Sequence, residues 1–232
     1  MRSHVGTYMN TLARLLRGNA DHAEDFQSRF DEVQEGQRPE AVTVCCSDSR
    51  VLQDRMWSND DPGRLFTVGN IGNRVVQRPV DPIVSGDVLY PLAHTGTETA
   101  VVVGHTGCGA VTATYDALTG DVSDAPGIEH CLDLLRPHLE PGVGSLPGDL
   151  NRADAINHLV EYNVDRQVEL LLESDSVPDG TDVAGVVYDF QDVYGGKRGE
   201  VHVVNVDGET DVTHLRDAYP EFSDRIRRLW EY

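Results

Sequence analysis

Lysine is almost missing from this chain of 232 residues: Lys197 is the only one, and arginine supplies the remaining basic charge. The 19 basic residues face 39 acidic ones, for a net charge of −20. A surface of that sign repels phosphate backbones and anionic headgroups, which argues against nucleic-acid and membrane partners. No apolar run approaches the ~20 residues that a membrane helix needs, and residues 1–10 lack the apolar core of a secretion signal. A soluble, cytoplasmic protein is therefore expected. Cysteine is scarce as well, with only Cys45, Cys46, Cys108 and Cys131. In a cytosolic chain such thiols are buried, catalytic or metal-binding rather than disulfide-bonded.

The acids are spread along the chain instead of forming a tail. Spread acid with hardly any lysine resembles the composition of haloarchaeal proteins, whose surfaces work in molar salt, where the Debye length falls to ~3 Å. Hydrophobic residues make up 39% of the chain, enough for a core of its own in one large α/β domain.

Residues 5–35 read as helical, with Tyr8, Leu12, Leu15 and Leu16 at helical spacing and Gly18-Asn19 interrupting them before a second helix over 20–35. The apolar runs at 42–46, 65–68, 100–103, 183–190 and 200–205 read as strands. Between them, helices are expected over 51–57, 82–94, 108–118, 128–139 and 149–173, with a Gly/Pro-rich connection at 141–148 and a mostly helical tail after 211. Alternating strands and helices predict a mainly parallel open sheet covered by helices. The last two runs are close enough to make the fifth strand an antiparallel edge. In open sheets of this kind, sites form beyond the carboxyl ends of the strands.

Two stretches fall at such ends. Cys46-Ser47-Asp48-Ser49-Arg50 follows the first strand, and Gly104-His105-Thr106-Gly107-Cys108-Gly109 follows the third. Thiolate and neutral imidazole are donors that zinc prefers, and three protein ligands leave its fourth position open for chemistry. Taken singly, Cys46 and Cys108 read as small buried hydrophobes and His105 as a turn histidine. At two adjacent strand ends, beside Asp48 and Arg50, they read as ligands. The neighbouring Cys45 points to the other side of its strand and reads as core; Cys131, beside His130, reads as core or helix face. Arg50 is spaced to hold Asp48 ionised. The loop 69–73 is glycine-rich, suiting either a plain connection or a close approach of backbone to a site.

These motifs resemble the β-class carbonic anhydrases. The likeness extends over Leu16-Arg17-Gly18-Asn19, Gly36-Gln37-Arg38-Pro39, Pro62-Gly63-Arg64-Leu65-Phe66, Asn163-Val164 and Gly185-Val186-Val187-Tyr188-Asp189, in the family order. It implies strand order 2-1-3-4 with an antiparallel fifth strand and one domain over 1–232. The helices of 1–38 would pack on a partner subunit, in a homodimer or an assembly of dimers. It implies Zn2+ held by Cys46, His105 and Cys108, with Asp48 and Arg50 as the catalytic pair and Asp48 a fourth ligand in a closed state. The implied reaction is reversible hydration of CO2 to bicarbonate and a proton by a zinc-bound hydroxide. A CS2 or COS hydrolase on the same site, or a non-catalytic zinc-binding homologue, are the alternatives.

Two departures from the family pattern stand out. Thr43 and Gly69 occupy places where some members carry Trp and Arg of a regulatory bicarbonate site, and only Tyr188 matches, so that regulation is expected to be absent. Asn59 or Asp60 stands near a position where plant-like members carry glutamine. His94, His130, His138 and His158 are loose proton-shuttle candidates, for each of which a plain surface role is the simpler reading.

Overall fold

The structure, a computed structural model, describes residues 3–120 and 122–232, with side chains from residue 10 on. Its contacts divide into two compact units, one of residues up to 37 with 61–63, the other of residues 38–60 with 64–232.

In the first unit α1 (Ser3–Phe26) runs directly into a 3-10 turn over Gln27–Val33. The expected break at Gly18-Asn19 is absent. One interior glycine costs a helix only about 1 kcal/mol, and 24 residues of helix carry that without breaking. His22 stacks on Phe26 at 4.3 Å between ring centroids, and Arg29 lies over the same ring and pairs with Asp61 at 3.3 Å. Leu15 and Leu16 remain 63% and 58% exposed.

The second unit is built on five strands: β1 (Ala41–Cys46), β2 (Leu65–Asn70), β3 (Thr99–His105), β4 (Asp182–Asp189) and β5 (Glu200–Val206). They lie in the order β2-β1-β3-β4-β5. The first four are parallel, and β5 runs antiparallel to β4. The sheet therefore has the expected topology. Parallel register places the carboxyl ends of β1 and β3 side by side, with Cys45 opposite Val103.

The helices are α2 (Gly86–His94), α3 (Gly109–Thr119), α4 (Pro126–Asp133), α5 (Arg136–Ser145), α6 (Arg152–Leu172) and α7 (Val212–Ala218). Several boundaries differ from expectation for local reasons. Residues 81–85 stay outside α2 because Ser85, not Asp81, is the cap, accepting from the Asp87 N–H. The stretch expected as one helix at 128–139 is two, and the second continues through Pro141 to Ser145. The stretch 51–57 contributes only a 3-10 turn over Arg55–Trp57. Among the described residues no helix is long and apolar enough to cross a membrane.

Strand alternation splits the core. Val42, Val44, Ala100, Val102, Val183 and Val187 join one cluster with Val160, Val164 and Val168 of α6. Cys45, Val103, Val186 and Tyr188 join a smaller one with Val51, Met56 and Trp57. The helix α6 packs across β3, β4 and β5. Its approach is set by two glycines. A Cβ at Gly104 or at Gly185 would stand 2.6 Å from a methyl of Val164, closer than carbon atoms tolerate.

The chain after α7 is fastened to α6 by buried charge. Asp165 pairs with Arg228 at 2.7 Å, their side chains 2% and 5% exposed. Asp165 also accepts from Asn205 and from the Tyr232 hydroxyl. One turn earlier on α6, Glu161 accepts from the Tyr194 hydroxyl at 2.6 Å and from the Leu229 and Trp230 N–H groups.

Candidate metal centre

Cys46 is the last residue of β1, His105 the last of β3, and Cys108 the N-cap of α3. Their ligand atoms all lie within 4.8 Å of one another, and all three residues are buried. The thiols are 3.9 Å apart. The His105 Nδ1–H donates to the Thr106 carbonyl at 3.1 Å. That bond fixes the tautomer and leaves the lone pair on Nε2, which is buried with no hydrogen-bond partner. A buried unsatisfied nitrogen costs on the order of 1–3 kcal/mol, so its persistence beside two sulfurs fits a cation that takes all three as ligands.

Backbone amides point at the sulfurs. The Gly72 N–H and those of Ala110 and Val111 are directed at Cys46 and Cys108 respectively. The glycine-rich loop thus does bring backbone to the site, and the first turn of α3 offers its free amides to a thiolate. The Cys46 thiol is pushed down to about 4, chiefly by the hydrogen bond from Cys108 and then by His105, against the opposing effect of burial. Cys108 is pushed up, first by its bond to Cys46 and then by burial. The two thiols behave as a pair that shares a proton. Cys45, expected in the core, is there: burial holds its thiol up at about 12, and it belongs to the opposite cluster.

Asp48 and Arg50 form the expected pair. Arg50 Nε and Nη2 donate to the two carboxylate oxygens at 2.9 and 2.6 Å, and the Arg50 backbone N–H adds a third bond. The guanidinium hydrogen bonds hold the Asp48 carboxyl well below the usual range. Its Oδ2 lies 3.9 Å from His105 Nε2, so the pair faces the ligand cluster. Arg50 also donates to the Gly107 carbonyl at 3.3 Å and lies over the Phe190 ring, 4.6 Å from its centroid. Phe190 in turn stacks on His105 at 5.9 Å.

A cleft of about 360 Å³ opens on this cluster, lined by Cys46, Asp48, Ile71, Ala113, Ile128 and Cys131 among others. Its wall is mostly apolar. Cys131, read as core or helix face, is half-buried on α4 and belongs to that wall. Asn59 donates to Asp54, and Asp60 pairs with Arg55; neither lines the cleft. Thr43 spends its hydroxyl on Thr67 across β1 and β2.

The sequence motifs missed Phe190, Ile128 and the helix α4, and for the loop 69–73 they pointed to the backbone but not to the Ile71 side chain that lines the cleft. For Phe190 a signal existed: it follows β4, the neighbour of β3, at the same carboxyl edge. For α4 there was none, since contact with the site comes only from folding.

A parallel sheet bearing a Cys–His–Cys cluster and an Asp–Arg pair at its carboxyl edge defines an α/β protein with a site able to hold a metal ion. The family model described as carbonic anhydrase matches residues 41–198. A carbonic anhydrase of Pseudomonas aeruginosa is 39% identical over 99 residues, covering 42% of this chain and 44% of that one. One of Emericella nidulans is 28% identical over 179 residues, covering 77% and 75%. The structure of the β-carbonic anhydrase CafA of Aspergillus fumigatus superimposes with a TM-score of 0.67 at 26% identity, covering 93% of this chain and 98% of that one. The chain belongs to the β-class carbonic anhydrase family. It spans about half the length of three of the curated relatives it matches, at 47%, 44% and 48% of theirs.

Proposed function

We propose that this protein is a zinc-dependent carbonic anhydrase that interconverts CO2 and bicarbonate. The observation that carries the reading is the orphaned, fully buried His105 Nε2, set among Cys46, Cys108 and the ionised Asp48 at the head of an apolar cleft. Cys46, His105 and Cys108 would hold the ion. Zinc, when bound, supplies a Lewis acid that brings the pKa of water from 15.7 to about 7.

The remaining work belongs to the chain. The apolar wall of Ile71, Ala113, Ile128 and Leu132 suits a small linear molecule without charge and gives bicarbonate nothing to hold it. Asp48, kept ionised by Arg50, accepts a hydrogen bond from a reacting oxygen and so turns that oxygen's lone pair towards the cleft. Arg50 keeps the carboxylate aimed, and Phe190 keeps Arg50 from swinging outward. His105 is held by Thr106 in the one tautomer that can ligate.

The exposed Leu15 and Leu16 of α1 support a second part of the reading, that residues 1–38 pack on a second copy in a homodimer or an assembly of dimers. The acid-rich, lysine-poor composition supports a cytoplasmic enzyme adapted to molar salt, as in a haloarchaeon. Stopped-flow CO2 hydration by the zinc-loaded protein, in high salt and above pH 8, tests the activity. Rapid hydration is expected. Its absence with one zinc per chain overturns the reading, and turnover of COS or CS2 in its place would redirect it.

A further inference from the structure

The machinery described so far lies on the strand ends, but one of its backbone groups is held from elsewhere. Gly107 stands between the ligands His105 and Cys108 with φ +61, and a Cβ there would meet the Gln191 amide at 2.8 Å. Its two backbone polar groups go to different partners. The carbonyl accepts from Arg50 Nη2 at 3.3 Å. The N–H donates to Asn157 Oδ1 at 2.9 Å.

Asn157 is only 5% exposed and lies in the second turn of α6. The helix that carries it cannot shift towards or away from the sheet easily. Val164 is seated against Gly104 and Gly185, and Glu161, one turn from Asn157, is bound by Tyr194, Leu229 and Trp230. Asn157 is thus a fixed acceptor, and Gly107 is the mobile party, because a glycine at positive φ has neighbouring conformations open to it. Among the described residues the Gly107 carbonyl is the one backbone group that accepts from the Arg50 guanidinium, whose other bonds go to Asp48.

We propose that Asn157 is a positioning residue for the Asp48–Arg50 pair, acting through Gly107. By holding the Gly107 N–H it fixes where the Gly107 carbonyl points, and that carbonyl fixes the end of the guanidinium that grips Asp48 Oδ2. The inference rests on the functional reading above for its kinetic consequence, but not for its structural one.

The test compares Asn157→Leu, which removes the acceptor at similar volume, with Asn157→Asp, which retains it. Each is made in the native background and with Arg50→Ala. Three quantities are read on the full chain loaded with zinc: metal per chain, kcat/KM for CO2 hydration, and the NMR signal of the Arg50 Nε–H, which is sharp and slow to exchange only while the guanidinium is held. Losing one positioning hydrogen bond of ordinary strength corresponds to about a tenfold effect. The leucine variant is expected to keep its zinc, lose about tenfold in kcat/KM and lose the slow Arg50 signal. The aspartate variant is expected to stay within about twofold and keep the signal. With Arg50→Ala already present, Asn157→Leu is expected to cost nothing more, since the two act as one unit. Should the leucine variant not fold, Asn157→Ala is read in the same way. The proposal is overturned by an unchanged Arg50 signal in Asn157→Leu, by a loss equally large on top of Arg50→Ala, by loss of zinc, or by failure of the aspartate to rescue. If the native protein shows no hydration, the functional reading fails, and the Arg50 signal still decides the role of Asn157.

Discussion

Glu161 and His105 are both completely buried, yet they stand in opposite states of completion. Glu161 accepts from a tyrosine hydroxyl and two backbone amides, and its neighbour Asp165 is paired with Arg228 and bonded to Asn205 and Tyr232. His105 has one nitrogen bonded and the other left bare, beside two thiols 3.9 Å apart. Burial of a polar group is tolerated when its partners are present. The α6 cluster therefore reads as architecture, a clasp that closes the chain end onto the core. The strand-end cluster is incomplete within the polypeptide and reads as a place for something the polypeptide does not supply.

The sharpest way to break that contrast is to remove a ligand. Cys46→Ala or Cys108→Ala is expected to bind no stoichiometric zinc and to lose at least about a thousandfold in hydration, or about 4 kcal/mol. Metal analysis beside stopped-flow kinetics checks this, and a variant retaining zinc and rate would remove the cysteines from the ligand set. The fold should survive, because the core cluster keeps its remaining members.

The converse experiment attacks the clasp. Asp165→Ala leaves Arg228 buried without its partner, and breaking such a pair costs about 3–5 kcal/mol. Urea or thermal unfolding should show that loss while zinc content stays at that of the native protein. Loss of zinc without loss of stability would mean that the two clusters have been assigned the wrong way round.

Glu161 allows a pH test of the same assignment. Burial raises its carboxyl from 4.5 to about 7 in the fold. A carboxyl raised on folding contributes stability that is complete below pH 4.5 and is lost as pH rises through 7, because the unfolded chain ionises first. The groups facing it are the hydroxyl of Tyr194, the guanidinium of Arg228 and the carboxylate of Asp165. Relative to Glu161→Gln, the native protein should therefore lose up to about 3 kcal/mol between pH 4.5 and 8. Denaturant curves at several pH values give the difference directly, and a gap that does not change with pH would show that Glu161 does not titrate in this range.

The smallest effect in free energy falls on the pair that faces the metal cluster. Asp48→Ala should retain zinc and full stability and lose about a hundredfold in kcat, in the range of a general acid–base contribution. Unchanged hydration would make Asp48–Arg50 a structural ion pair like Asp165–Arg228, and the comparison would lose one of its terms.

Much of this was legible before the structure. The five strands, the grouping of Cys46, His105 and Cys108, the pairing of Asp48 with Arg50 and the burial of Cys45 follow from apolar runs and short motifs at strand ends, where local sequence determines geometry; the order of the strands came from the family resemblance alone. The features that escaped share another character. Asn157, Phe190 and the wall helix α4 (Pro126–Asp133) all lie well beyond Cys108 in the chain, placed at the site by packing that no local pattern encodes. The helix boundaries failed at Gly18 and Pro141, where a residue that weakens a helix was read as one that ends it.

The adjacent thiols at 45 and 46 show how the register of β1 is specified. A one-residue slip of β1 against β3 would still present a cysteine at the strand end, so the metal alone could not tell the right register from the wrong one. The sheet can. The slip would turn Ala41, Thr43 and Cys45 towards the face now filled by Val42, Val44 and Cys46, trading two valines for an alanine and a threonine in the larger core. Packing, and not coordination, would thus select which sulfur meets a bound ion.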